Sequence, residues 1–150
     1  RLMRTLLITA LIALPLPALA QDVVGGWECT AMRGEKSVSN ALTLNKNGKY
    51  FSALNIAGKT QGSNVVFTGE IKGRYVLDGT TLTTTPTKVK PTTAKVDGVD
   101  LMKDKKLKGM VEQQLSAEMS AMQGQLEITE LTATTMTFGS GKGATICKRQ

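Results

Sequence analysis

Hydrophobic and polar residues alternate along most of the chain, with the two-residue period of β-strands. Trp27, Cys29 and Ala31 alternate with Glu28, Thr30 and Met32, as in a strand that turns one face to a core. Residues 41–44 lead through Lys46-Asn47-Gly48-Lys49 into residues 50–54. Asn-Gly between two such runs predicts a hairpin, with Tyr50 or Phe51 opposite Leu44 according to the turn type. Val65, Phe67, Ile71, Tyr75 and Leu77 share one parity with Gly69 and Gly73. This predicts one long strand, or two with a bend, and glycine at inward positions permits tight curvature or close backbone approach. Asp78-Gly79 predicts a second hairpin into residues 81–85, and further strands are expected at 126–129, 136–138 and 144–147.

Two stretches break the alternation. Residues 87–108 are rich in Pro, Thr, Lys and Asp and read as a long connection. Residues 105–123 predict an amphipathic helix: Leu107, Met110, Val111, Gln114, Leu115, Glu118, Met119 and Met122 fall on the i, i+3, i+4, i+7 template, and Gly124 follows as a stop.

The first twenty residues stand apart. Arg1 and Arg4 precede an apolar run at 6–14, then Pro15, Pro17 and the small-residue end Ala18-Leu19-Ala20. That is the arrangement of a secretory signal peptide over residues 1–20, with an apolar run too short to span a bilayer. Met3 would begin a complete signal sequence by itself. Gln21, rather than Cys, follows the expected cleavage point, which argues against lipid attachment there. The remaining domain, 21–150, has enough chain for one core. The expected location is the periplasm or the medium, and no other segment is apolar enough to be an integral membrane span.

Composition narrows the chemistry. The chain has two cysteines and no histidine. In an oxidising compartment, Cys29 and Cys147 are expected to form a disulfide that makes the first and last strands neighbours. Without histidine the commonest general base is missing, and a thiolate nucleophile is unavailable once both cysteines are oxidised. The carboxylate pairs Asp97/Asp100 and Glu127/Glu130 sit where ordinary solvation accounts for them. A non-enzymatic protein with no cofactor is expected.

Short strands joined mainly by hairpins, tied first to last, predict a mainly β protein: a small antiparallel up-and-down β-barrel of about 7–8 strands with one accessory helix. A flattened sandwich is the second choice. Gly25-Gly26-Trp27 resembles the Gly-x-Trp opening of lipocalin-like (calycin) barrels. The stretch from Gly73-Arg74-Tyr75 through Asp78-Gly79 to Leu82 is similar to a mid-barrel segment of small bacterial lipocalin-like domains, as is Ile128-Thr129-Glu130-Leu131-Thr132 with the strand at 136–138. The helix between strands departs from that pattern, since in lipocalins proper the main helix follows the last barrel strand. The resemblance implies that Trp27 plugs one end of the barrel. It also implies that inward side chains, here Trp27, Leu44, Phe51, Phe67, Tyr75 and Phe138, line a pocket for a small apolar ligand. The plainer account is that these six simply fill a narrow barrel.

Three functional readings follow, beside a fourth in which the barrel is only a structural or envelope-stress accessory with no small ligand. The first is a carrier of a small apolar ligand, which predicts a cavity of roughly 300 Å³ or more. The second is a protein-binding barrel, such as a periplasmic protease inhibitor, using residues 21–26 as an extended arm. The third is Cu(I) handling by Met110, Met119 and Met122, since thioethers are soft ligands, although methionine also fills gaps between a helix and a sheet. Residues 88–108 contain seven lysines and three aspartates. Lys103, Lys105, Lys106 and Lys108 there are candidates for contact with an anionic surface, or a solvated loop. An exported protein whose basic run has no aromatic residue to stack bases on is not expected to bind nucleic acid.

Overall fold

Tight turns set the register of the first half of the sheet. The structure, a computed structural model, describes residues 23–150; the expected signal peptide lies outside the described residues. Strand β1 (Gly25–Arg33) turns at Gly34-Glu35 into β2 (Lys36–Leu44), which crosses the Asn47-Gly48 hairpin into β3 (Lys49–Thr60). β3 passes through Gln61-Gly62 into β4 (Ser63–Asp78), and β4 through Gly79-Thr80 into β5 (Thr81–Val96). Gln61 and Gly62 both have positive φ, 51° and 80°. This is the type I′ geometry whose twist matches that of the flanking strands.

β5 continues through Asp97-Gly98 into the short β6 (Val99–Asp100). A single 3-10 turn and helix α1 (Lys108–Ala121) follow, and β7 (Gln125–Leu131), β8 (Thr135–Phe138) and β9 (Thr145–Arg149) complete the chain. All pairings are antiparallel. β4 pairs with β5, β5 with β7, and β9 with β1, so eight strands close into a ring and β6 is appended to β5. The expected barrel, with one helix between strands, is the fold.

The core fills one side of each strand. Trp27, Cys29, Leu42, Leu44, Tyr50, Leu54, Ile71, Leu82, Ile128, Met136, Phe138 and Cys147 form one buried cluster, joined by Met119 from the helix and Val23 ahead of β1. Cys29 lies directly opposite Cys147 across the β1–β9 seam, and the two form the expected disulfide.

The long connection expected at 87–108 is corrected: β5 runs unbroken to Val96. Proline misled the reading, because it removes a ladder donor and normally marks a break. Here two β-bulges absorb it. The register with β4 shifts between Thr68 and Gly69 and again between Lys72 and Gly73, leaving Thr92 and Thr87 without cross-strand partners. The two bulges place Pro91 opposite Gly69 and Pro86 opposite Gly73. The Thr92 hydroxyl meets that of Thr68 at 2.8 Å, and the Thr87 hydroxyl donates to the Lys72 carbonyl at 3.2 Å. On its other side β5 pairs only at its ends, with β7 at Thr81–Thr83 and with β6 at Lys95–Val96. The missing proline N–H groups therefore cost no second ladder.

The helix begins at Lys108, three residues later than expected. Asp104 holds the preceding turn: its carboxylate accepts from Lys106 N at 2.8 Å and its carbonyl from Lys108 N at 2.9 Å. Only Leu115 and Met119 of α1 are buried.

Candidate functional site

Alternation around the ring leaves a hollow on its inner side. β1 contributes Cys29 and Ala31, β2 Val38, Asn40 and Leu42, β3 Tyr50, Ser52 and Leu54, and β5 Leu82 and Thr84. Met122, Gln123, Leu126 and Phe138 complete the wall, and Arg33 and Thr145 stand at one end. The cavity measures about 110 Å³. It falls short of the 300 Å³ expected for a drug-sized ligand, and lies nearer the roughly 150 Å³ apolar cavity that accepts benzene.

One end of the barrel is stoppered. Trp27 is fully buried, and its indole N–H donates to the Val23 carbonyl at 2.9 Å. The Arg149 guanidinium lies 4.2 Å from the Trp27 ring centroid, and its Nη1 donates to the Val24 carbonyl at 2.8 Å. The described part of the expected extended arm, from Val23 onward, is thus docked on the barrel rather than projecting from it. At the other end Arg33 spans a gap to the loop before β9, donating to the Gly143 carbonyl at 2.7 Å.

A polar cluster interrupts the apolar wall. Ser52 donates to Asn40 Oδ1 at 2.6 Å, and Tyr50 donates to Gln123 Oε1 at 3.0 Å. Thr84 reaches the same Gln123 oxygen at 3.4 Å and receives the Gly124 N–H at 3.1 Å. Both amide oxygens are occupied, whereas the amide nitrogens of Asn40 and Gln123 have no protein acceptor. Among the described residues no buried polar side-chain atom lacks a partner, so those nitrogens keep access to solvent, and both residues line the hollow. The unused polar capacity of the two amides is therefore hydrogen-bond donation. Burial pushes the Tyr50 hydroxyl above the usual tyrosine range, partly offset by the neighbouring Thr84 hydroxyl.

Of the six residues expected to line a pocket, Phe138 alone lines this cavity. Phe67 lines a second hollow of about 20 Å³ beneath the helix, with Leu54, Ile56, Leu115, Met119 and Met122. Trp27 and Leu44 are core. Tyr75 is half-buried and donates to the Asn45 carbonyl at 2.6 Å. Phe51 needs a correction: the hairpin sets Tyr50 opposite Leu44, so Tyr50 turns inward and Phe51 outward. Sequence reasoning missed Asn40, Ser52 and Thr84. Their signal was available, as polar residues on the same parity as Leu42 and Leu44, Tyr50 and Leu54, and Leu82.

The methionines do not gather. Met110 and Met119 are nine residues apart, two and a half helical turns, and so point to opposite sides; Met110 is 62% exposed while Met119 is buried. Met119 and Met122 both line the smaller hollow. Among the described residues no three His, Cys, Asp or Glu side chains are placed to hold a metal ion.

Three of the four paired carboxylates are engaged structurally. Asp97 accepts from Asn64 N at 2.8 Å, and Asp100 caps the 3-10 turn through Met102 N at 3.0 Å. Glu127 accepts from the Thr80 and Thr81 hydroxyls, which hold its carboxyl below the usual range. The basic run is divided: Lys88, Lys90 and Lys95 lie on the outer face of β5, whereas Lys103, Lys105, Lys106 and Lys108 surround the start of α1. All seven are exposed, and Lys108 pairs with Glu112 at 3.7 Å. No helix among the described residues is long and apolar enough to cross a membrane. No protein-family model matches the chain, and no curated protein matches it.

Proposed function

We propose that the protein is an exported, non-enzymatic carrier whose barrel interior takes a small apolar molecule bearing an oxygen acceptor. The observation that carries this reading is the hollow itself: stoppered by Trp27 at one end, lined by Leu42, Leu54, Leu82, Leu126 and Phe138, and provided with two unused amide donors. A volume of about 110 Å³ suits a ligand of about six heavy atoms, or the end of a longer chain, by comparison with benzene-sized cavities. The amides of Asn40 and Gln123 select a carbonyl, ether or carboxylate oxygen over a pure hydrocarbon. The lipocalin-like opening Gly25-Gly26-Trp27 agrees with this role, and the Cys29–Cys147 disulfide agrees with export.

Cyclohexanone is a suitable probe, read by amide chemical shifts. Saturable shifts at Asn40, Gln123 and Phe138 are expected, together with their loss in Ala31→Leu, which adds bulk to the hollow from β1 and leaves the residues of the polar cluster unsubstituted. Binding that survives in Ala31→Leu would place the probe elsewhere and remove the reading. Native mass spectrometry of the protein taken from its host reports any retained molecule directly.

A further inference from the structure

The outer face of the sheet carries a further concavity, which shares Tyr50 with the wall of the interior hollow. It lies over β3 and β4 and is bounded by Asn45, Lys49, Phe51, Lys72, Arg74 and Thr87, with a volume of about 420 Å³. We propose that this cleft binds a multiply charged phosphate group, of the phosphomonoester or pyrophosphate class.

The strand register brings the cations together. Lys49 lies directly opposite Arg74, Phe51 opposite Lys72, and Lys72 opposite Lys88 on β5. Directly opposed side chains start about 5 Å apart, and Lys72 and Arg74, two residues apart on one face, about 7 Å apart. Four cations therefore share one patch with an aromatic ring. The nearest acid on this face, Glu70, sits opposite Lys90 at the edge of the patch. Among the described residues none of the four takes part in an ion pair.

Like charges placed directly opposite each other destabilise a sheet, and this patch contains two such pairs in adjacent rows. Nothing in the fold requires them, because all four side chains are exposed. An anion in the cleft would convert the repulsion into attraction. The class of anion follows from the donors. Arg74 offers a planar fork suited to two oxygens of a tetrahedral oxyanion, and Lys49 and Lys72 add point charges. A monocarboxylate would leave most of that charge unbalanced. The Thr87 hydroxyl proton is already given to the Lys72 carbonyl, so cationic groups carry the recognition, and the half-buried Phe51 supplies an apolar wall for the body of the ligand.

Calorimetric titration of the protein with inorganic pyrophosphate at low salt tests the site. One saturable equivalent is expected, with affinity reduced about tenfold or more in Lys72→Gln/Arg74→Gln, as loss of charge-assisted hydrogen bonds implies. Lys105→Gln/Lys106→Gln, near the helix, should stay within about twofold because those lysines are solvated and do not line the cleft. The thermal midpoint of Lys72→Gln/Arg74→Gln should equal or exceed that of the unsubstituted protein, which separates lost binding from lost folding. Sedimentation with phosphatidic acid vesicles distinguishes the sources: co-sedimentation that the double substitution abolishes assigns the phosphate to a lipid headgroup, and pyrophosphate binding without co-sedimentation assigns it to a soluble ligand. Equal pyrophosphate affinity in the double variant, or no saturable binding of either probe, overturns the proposal.

Discussion

Gly73 and Gly69 both face the interior from β4, and each meets a different obstacle. A Cβ on Gly73 would collide with the Thr85 carbonyl oxygen and come within 2.7 Å of Tyr50 Cε1 and 2.9 Å of Pro86 Cα. Most of that surface is backbone at a bulge and cannot yield without shifting β5. A Cβ on Gly69 would meet chiefly the Met119 terminus, with Sδ at 2.8 Å and the Lys90 carbonyl at 3.0 Å. A thioether has rotamers to spare. Gly73→Ala should therefore cost about 3 kcal/mol and Gly69→Ala about 1 kcal/mol, within the range for overpacked cores. Urea unfolding measures both, and equal costs would mean that Met119 does not yield. Tyr50 gives a residue-scale pH dependence. Its hydroxyl has a raised pKa in the fold, so the fold favours the neutral form. That stability is fully present below the unfolded value near 10 and is lost as pH rises through the higher folded value. Tyr50→Phe should flatten the alkaline fall in the unfolding midpoint, leaving the share contributed by Tyr75, which burial also raises. An unchanged alkaline slope in Tyr50→Phe would show that the hydroxyl is not responsible.

Among the elements, legibility followed the strength of local rules. β1, the Asn47-Gly48 hairpin and β4 could be read because alternation and turn chemistry point the same way. The run from 87 to 96 could not, since its strand identity depends on bulges opposite Gly69 and Gly73 and on an edge left mostly unpaired. Both are tertiary facts. The interior polar cluster was half-legible: the parity of Ser52 was visible in the sequence, but its partner Asn40 is fixed only by the register of β2 with β3. The methionine stripe failed for geometric reasons, because a template counted over four turns drifts around a helix of 3.6 residues per turn. Helix α1 is also the element most weakly held. It buries only Leu115 and Met119, and its N-cap position, Leu107, makes no side-chain capping bond. Its amides should exchange with solvent about tenfold or more faster than those of β3 and β4, as expected for a locally opening unit. Hydrogen exchange resolved by residue checks this, and equal protection would indicate that the helix opens only with the barrel.

At the scale of the molecule, the ring depends on short seams, among them the one between its first and last strands. β3 and β4 are joined by twelve residue pairs and β1 and β2 by nine, whereas β1 meets β9 over four. The Cys29–Cys147 disulfide lies within that short ladder and links positions 118 residues apart. Cross-linking a loop of that length lowers the entropy of the unfolded chain by an amount worth about 4–5 kcal/mol on a chain-closure model, a large part of the stability of a small domain. Cys29 also lines the hollow, so the same bond holds the cavity wall together. Replacing both cysteines by alanine should lower the unfolding free energy by about 3–5 kcal/mol and abolish cyclohexanone binding in the fraction whose seam has opened. Reducing the unsubstituted protein should reproduce both effects, but slowly, because both sulfurs are buried and become accessible to a reductant only when the seam opens. A double alanine variant of undiminished stability, with the cavity still able to bind the probe, would show that the four-pair ladder closes the barrel without its covalent tie.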